Sequence, residues 1–252
     1  MSQLSFVSWC RGELNWGSAV GWPAAVLATS LLLGLASGAA AQSAEAVNPA
    51  ASVREHRSWE LGPFVTGGNG LSDRTDYHFF SLGFQAGKTL TPVIKAGPLT
   101  GQFEMDANIM PLWQAYTPGQ TTVIVPVSNG EAIREGFGGG TYTGFSITPV
   151  IFRWNFATPA RRFTPWFQGA GGSLYTTHKF PPEVLVPKGT PGGTSVFNFT
   201  PQAGIGFHYF TRADRSWDVG LNAIHISSAS LGDKNPGVNA SLWLQVGYTW
   251  WK

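Results

Sequence analysis

A serine two residues after a histidine is the smallest unit that can carry out acyl transfer. The imidazole takes the hydroxyl proton, the alkoxide attacks an ester carbonyl, and neighbouring N–H groups hold the oxyanion. His225 and Ser227 form such a pair, and their phase sets them apart. Trp217, Val219, Leu221 and Ala223 alternate with Asp218, Gly220 and Asn222, which is the period-2 pattern of a strand. Continuing the apolar set by twos reaches His225 and then Ser227, so two hydrophilic side chains fall on the apolar face. If that face meets hydrocarbon, an unpaired imidazole there is costly. Two explanations stand: the strand has left the apolar zone by residue 225, or the pair is placed there for chemistry.

The other polar residues have plainer readings. His208 sits on the inward phase of its strand and is expected to hydrogen-bond in a lumen. Glu104 and Asp106 share that phase in theirs, as lumen charges for Arg153 or another inward base. Gly136-Phe137-Gly138-Gly139-Gly140 follows no strand and opens no helix, so it reads as a mobile outer loop and not a phosphate cradle. Gly67-Gly68-Asn69-Gly70 reads as a turn. His56 and His178 fall in a leader and a loop, with no second metal ligand at useful spacing. No metal and no cofactor is expected.

Placing the pair requires strands, and from Trp59 onward the chain repeats a strand-length segment followed by a turn or loop. Phe103, Met105, Ala107 and Ile109 alternate with Glu104, Asp106 and Asn108; Phe197, Phe199, Ala203, Ile205, Phe207 and Tyr209 with Asn198, Thr200, Gln202, Gly204 and His208; Leu242, Leu244, Val246, Tyr248 and Trp250 with Ser241, Gln245 and Thr249. A helix would scatter such a pattern around its circumference. The expected strands are 58–66, 75–87, 98–115, 143–156, 163–176, 195–210, 216–227 and 239–251. Their connections run about 8, 10, 27, 6, 18, 5 and 11 residues, so from the third on every second one is short. Outer-membrane barrels show this asymmetry, with short periplasmic turns, long outer loops and both termini inside. Charged residues make up only 12% of the chain, with 32 Gly, 11 Trp and 17 Phe. That composition suits a sheet whose outer face meets lipid and offers no basic stripe for nucleic acid. The fold class is therefore all-β: an eight-stranded antiparallel transmembrane β-barrel of the outer-membrane type, with a soluble β-barrel as the alternative.

Three segments follow. Residues 1–41 read as a signal peptide: Arg11 supplies a thin positive region beside Glu13, Val20 to Ala36 is apolar, and Ala39-Ala40-Ala41 offers a cleavage site. A transmembrane anchor is the rival reading, since about 17 apolar residues just span a bilayer. The single cysteine, Cys10, lies in this segment, so the exported protein would have no thiol chemistry. Residues 42–57 read as a flexible leader and 58–252 as the barrel. The last strand, ending Tyr248-Thr249-Trp250-Trp251-Lys252, resembles the C-terminal signature of outer-membrane barrels.

With a periplasmic N-terminus, odd strands run outward, which puts His225 and Ser227 at the outer rim of the membrane, facing sideways toward outer-leaflet lipid. The stretch from His225 to Asn239, HISSASLGDKNPGVN, resembles the active-site segment of the outer-membrane lipid A 3-O-deacylase (acyloxyacyl hydrolase) family. That family joins a His-x-Ser-Asn motif to an Asn-Pro-Gly-like turn and a downstream acidic residue. The resemblance implies an eight-stranded barrel with a Ser-His-Glu triad on its lipid-facing surface, hydrolysing the ester-linked acyl chain at position 3 of lipid A. It implies Ser227 as nucleophile, His225 as general base, and Asn235 or a backbone N–H of the Ala229–Leu231 turn at the oxyanion. Two positions depart from the motif: Ser228 stands where the family has Asn, and Asn239 stands where it has the acid. An amide can orient an imidazole but stabilises imidazolium far less than a carboxylate does. Asp233, in the same loop, is the candidate substitute.

The expected function is a cofactor-free outer-membrane ester hydrolase acting on lipid A or lipopolysaccharide of the outer leaflet. Three rivals remain open: a weak or inactive barrel of the same fold with a structural or lipid-binding role, a small pore, and an adhesion barrel. A lipid A palmitoyltransferase keeps its acyl chain inside the barrel, whereas this pair points outward, and a calcium-dependent phospholipase has more strands. The oligomeric state stays open, a homodimer among the options.

Overall fold

In the computed structural model, the described residues are 48–118, 121–126 and 132–137 (these two by backbone alone), 140–181, 195–229, 231 and 239–252. The proposed signal peptide, Asp233 and Asn235 lie outside them. Eight long strands close into an antiparallel barrel: β1 (Trp59–Gly70), β2 (His78–Thr89), β3 (Gly101–Thr117), β6 (Gly140–Phe156), β7 (Phe163–Phe180), β8 (Ser195–Arg212), β9 (Arg215–His225) and β10 (Ala240–Trp251). Each pairs with its chain neighbour in the barrel, and β1 closes on β10 through Phe64 opposite Gly247 and Val65 opposite Val246.

The alternation of side chains decides what solvent the barrel meets. Leu61, Phe84, Met105, Phe152, Ile205 and Leu244 are exposed on its outside, while Gln85, Glu104, Asn108, Arg153, Asn222 and Gln245 are buried inside. A water-soluble barrel would invert that arrangement. An apolar exterior around a polar interior is the pattern of a barrel solvated by lipid. Turns 157–162 and 213–214 are the short connections, which marks their end of the barrel as periplasmic.

The lumen is filled in layers. At the outer end Phe79, Trp113, Tyr142, Leu174, Phe180 and Trp243 form an apolar plug, with Phe79 stacked on Trp243 at a centroid separation of 4.9 Å. Aromatic pairs of this kind contribute about 0.5–1.5 kcal/mol beyond their area. Below it lies a layer of neutral polar side chains including Thr66, Asn108, Gln202 and Gln245, around a cavity of about 20 Å³. Below that sits the charged group of Glu60, Glu104, Asp106, Arg153, His208 and Asp218. Glu104 and Asp106 lie 3.9 and 3.3 Å from Arg153, the pairing expected of them. The periplasmic end is stopped by Phe210 and Trp251 packed against Ala50 and Val53. A lumen stopped at both ends gives the pore reading no support.

Four local expectations are corrected. The leader 42–57 contains helix α1 (Pro49–His56), capped by the Asn48 side chain, which accepts from Ala51 N–H, and started by a proline at its first position. Its Ala50 and Val53 form part of the periplasmic stop. The Gly67–Gly70 run is strand, paired on both sides; at Gly68 a Cβ would collide with the Leu242 carbonyl and the Trp243 ring. The region read as one outer loop contains a separate two-stranded sheet, β4 (Thr121–Pro126) with β5 (Ala132–Phe137), and Gly140 opens β6. His178 belongs to β7, which runs on to Phe180.

Candidate active site on the outer wall

Strand β9 ends at His225, which pairs with Ala240 of β10. Ser227 lies two residues further and is held to β8 by an isolated bridge. Phe199 N–H donates to the Ser227 carbonyl (2.7 Å), and Ser227 N–H donates to the Phe199 carbonyl (3.0 Å). The pairing Phe199–Ser227 continues the register that sets Ala203 opposite Ala223, so the phase of β9 persists past its formal end. Ile226 and Ser228 are buried toward the lumen, and His225 and Ser227, both half-buried, stay on the outer face.

The two side chains are neighbours along the wall, separated by two strand residues, or ~6.6 Å of backbone. The Ser227 hydroxyl accepts from Ala229 N–H at 3.1 Å. Ala229 has φ +48°, a left-handed conformation that costs a non-glycine residue about 1 kcal/mol or more. That local geometry aims its N–H at the serine oxygen. The turn closes with Leu231 N–H on the Ser228 carbonyl (2.9 Å). A backbone donor thus stands at the Ser227 hydroxyl.

Asn239 is placed differently. Its carbonyl accepts from Ile226 N–H (2.9 Å), and it continues the inward set of β10 that runs on through Ser241, Trp243 and Gln245. Its side chain is 1% exposed, and neither amide atom has a hydrogen-bond partner. The structure brings His225 and Ser227 to one face but does not bring Asn239 to the His225 ring. Ser228 is likewise buried, its hydroxyl without a hydrogen bond.

Sequence reading missed what surrounds the pair. An open groove of about 360 Å³ on the outer wall is lined by Ala170, Pro201, Ala203, Ala223, His225 and Ala240, among others. Gly169 and Gly171 pair with Ala203 and Pro201 on the adjoining strand, and open space lies where a Cβ would stand at each. Phe199, Ile205, Leu221 and Leu242 stand exposed on three of these four strands, β8, β9 and β10. The hollow is therefore a patch of small residues in a wall of large ones, and His225 lies in its lining. Glycine and alanine at alternate positions of neighbouring strands were the available signal, legible only once the register was known.

An eight-stranded barrel with an apolar exterior and a polar, plugged lumen is an outer-membrane barrel, and this one carries a hydroxyl and an imidazole side by side on its lipid-facing wall. Residues 101–249 match the family model of lipid A 3-O-deacylase (PagL). That span is more than half of the chain, and the chain belongs to this family. No curated protein matches it. Among solved structures it is similar to Neisserial surface protein A (14% identity, TM-score 0.44, covering 76% of this chain and 96% of that one). It is similar also to the outer membrane enzyme PagL (17% identity, TM-score 0.40, 74% and 97%). A third is the N-terminal barrel domain of Pseudomonas aeruginosa OprF (10% identity, TM-score 0.37, 76% and 97%).

Proposed function

We propose that the protein is an ester hydrolase of the outer membrane that removes an ester-linked acyl chain from lipid A in the outer leaflet. The observation that carries the reading is the placement of His225 and Ser227 on one lipid-facing face, with His225 in the lining of an open groove of about 360 Å³. Family membership supplies the substrate class. In the proposed cycle the His225 ring turns to the Ser227 hydroxyl and takes its proton as the oxygen attacks the ester carbonyl. Catalytic hydrogen bonds of this kind often tighten only with substrate bound. The oxyanion is held by Ala229 N–H, and by Asn235 as the family motif implies. Collapse of the tetrahedral intermediate breaks the ester C–O bond, and His225 returns the proton to the departing sugar hydroxyl. Water then attacks the acyl-serine, again with His225 as base, releasing the fatty acid.

The family motif implies Asn239 at the third position of this scheme, but its side chain is buried on the inward phase with neither amide atom bonded, and Asp233 is the candidate to supply the charge. The competing reading is a barrel that binds lipid A without turnover. One observation favours it: Asn239 carries no charge and makes no hydrogen bond to His225. Release of hydroxy fatty acid from lipid A in detergent micelles, read by mass spectrometry, separates the two. The refolded wild type should release it, Ser227→Ala should not, and His225→Ala should be slower by about 10²–10⁴-fold. Equal background rates from all three would leave the binding barrel standing.

A further inference from the structure

The charged group near the periplasmic end of the lumen is unbalanced. Glu60, Glu104, Asp106 and Asp218 all lie within 4 Å of Arg153, at 3.2, 3.9, 3.3 and 3.8 Å, and the other buried arginine among the described residues, Arg74, lies in the turn after β1 at the outer end. With all four carboxyls ionised, one guanidinium would leave three negative charges uncompensated in a space closed to water. Burying charge in that way is strongly unfavourable without a counter-charge.

The hydrogen bonds show where the counter-charge is missing. Glu60 uses one oxygen, Oε1, for Gln85 and Arg153, and Glu104 uses Oε2 for Asn155. The other oxygen of each is buried without a partner. His208, 1% exposed, has both ring nitrogens without a hydrogen bond, although a lumen histidine was expected to make one. Its nearest charged neighbour is Asp218, at 3.7 Å, an oxygen already accepting from the Trp166 indole. The imidazole is held edge-on against Trp251, with centroids 5.1 Å apart, so it is fixed by packing and not by polar contacts. One ligand atom from each of Glu60, Glu104 and His208 lies within 4.8 Å of the other two. Three unsatisfied ligand groups, converging from β1, β3 and β8, enclose a point that a single ion can bridge.

We propose that Glu60, Glu104 and His208 bind one divalent metal ion inside the barrel. Two carboxylates and an imidazole are the ligand types that suit Zn²⁺, bound by three protein groups with a water completing the set. The ion offsets two of the three surplus charges and gives each of the three groups one partner. Its role is structural. It ties three strands together next to the stop formed by α1, Phe210 and Trp251, and it lies far from the outer-wall site. Asp218 and His225 are seven residues apart on β9, ~23 Å along the strand.

The test uses tag-free protein refolded in detergent with either Zn²⁺ or a chelator present, followed by calorimetric titration of the chelator-treated, dialysed sample with Zn²⁺. One equivalent should bind saturably, and the zinc-refolded protein should unfold roughly 5–10 °C higher when Zn²⁺ is in hundredfold excess over Kd. His208→Gln and Glu104→Gln should each weaken binding at least tenfold. His56→Ala should not, which removes the exposed Glu55–His56 pair as the source. Should a lumen variant fail to fold, X-ray absorption at the zinc edge of the wild type decides, with one imidazole nitrogen among oxygen ligands expected. Absence of saturable binding, binding unchanged in folded His208→Gln, or a zinc shell without imidazole would each overturn the proposal. The surplus charge would then be carried by protons on the carboxyl groups.

Discussion

Ser227 and Phe199 exchange two backbone hydrogen bonds, 2.7 and 3.0 Å long, two residues past the end of β9. This bridge fixes the proposed nucleophile on the rigid edge of β8 while the following turn departs from the wall. Phe199→Pro deletes the N–H that donates to the Ser227 carbonyl, whereas Phe199→Ala keeps both bonds. The proline variant should retain a heat-modifiable barrel on gel electrophoresis and lose about 10²-fold in turnover, the scale of a small misplacement of a reacting group. The alanine variant should stay within a few-fold of wild type. Equal losses in both would mean that the side chain of Phe199 matters and the bridge does not.

The groove predicts a split between substrates. Ala203 lies in its lining, opposite Ala223 on β9 and Gly169 on β7, so Ala203→Phe fills the hollow without touching His225 or Ser227. Release of acyl chain from lipid A should fall by about tenfold or more, the scale on which an apolar pocket discriminates. Hydrolysis of a short ester such as p-nitrophenyl acetate should be unchanged. A parallel loss on both esters would show that the substitution disturbs the wall itself.

The lipid-facing assignment is tested at Leu244, which is 51% exposed and pairs with Leu221 near the middle of β9. Leu244→Arg puts a cation among acyl chains and should lower folding stability in phospholipid vesicles by about 2–4 kcal/mol. Denaturant-dependent refolding into vesicles measures it. A neutral or stabilising result would contradict a membrane-solvated wall.

Fold and site were legible in the sequence to different depths, for physical reasons. A barrel wall exposes one face to lipid and the other to a polar lumen, so period 2 recurs in every strand and the outer set, Leu221 and Leu244 among it, can be read without partners. The phase of His225 and Ser227 came the same way. Short elements gave less. Helix α1 spans barely two turns, too few for an apolar stripe, and its only sign was the Asn48-Pro49 start. The β4–β5 hairpin has six-residue strands that pair only with each other, beside a glycine run that reads as loop. Gly68 reads as a turn residue because it accommodates Trp243, a contact 175 positions away. His208 was correctly assigned to the lumen, but nothing local reveals Glu60 or Glu104, which reach it only through barrel closure. The side-chain position of Asn239 depends on register past the end of a strand, where motif spacing alone implies contact with His225.

The last prediction concerns that residue. Attack by Ser227 turns His225 into an imidazolium, and a carboxylate against the ring normally compensates the charge. In a serine protease triad, changing that acid to its amide slows turnover about 10⁴-fold. This chain has Asn239 at that position, with its amide buried on the inward phase and unpartnered. Asn239→Ala should therefore change activity little, since no contact with His225 is lost. Asn239→Glu has one more methylene and a charge that the lumen disfavours, so its side chain gains by turning outward to His225, whose backbone pairs with the next residue, Ala240. Activity should then rise, by up to about 10²–10⁴-fold if the protease magnitude transfers. If Asp233 already fills the role, Asn239→Glu should matter little and Asp233→Ala should remove activity. Rates for the three variants and Ser227→Ala, measured as fatty acid released from lipid A, separate these outcomes. A large loss in Asn239→Ala would show instead that the amide reaches the ring once substrate is bound, making the neutral asparagine a working member of the triad.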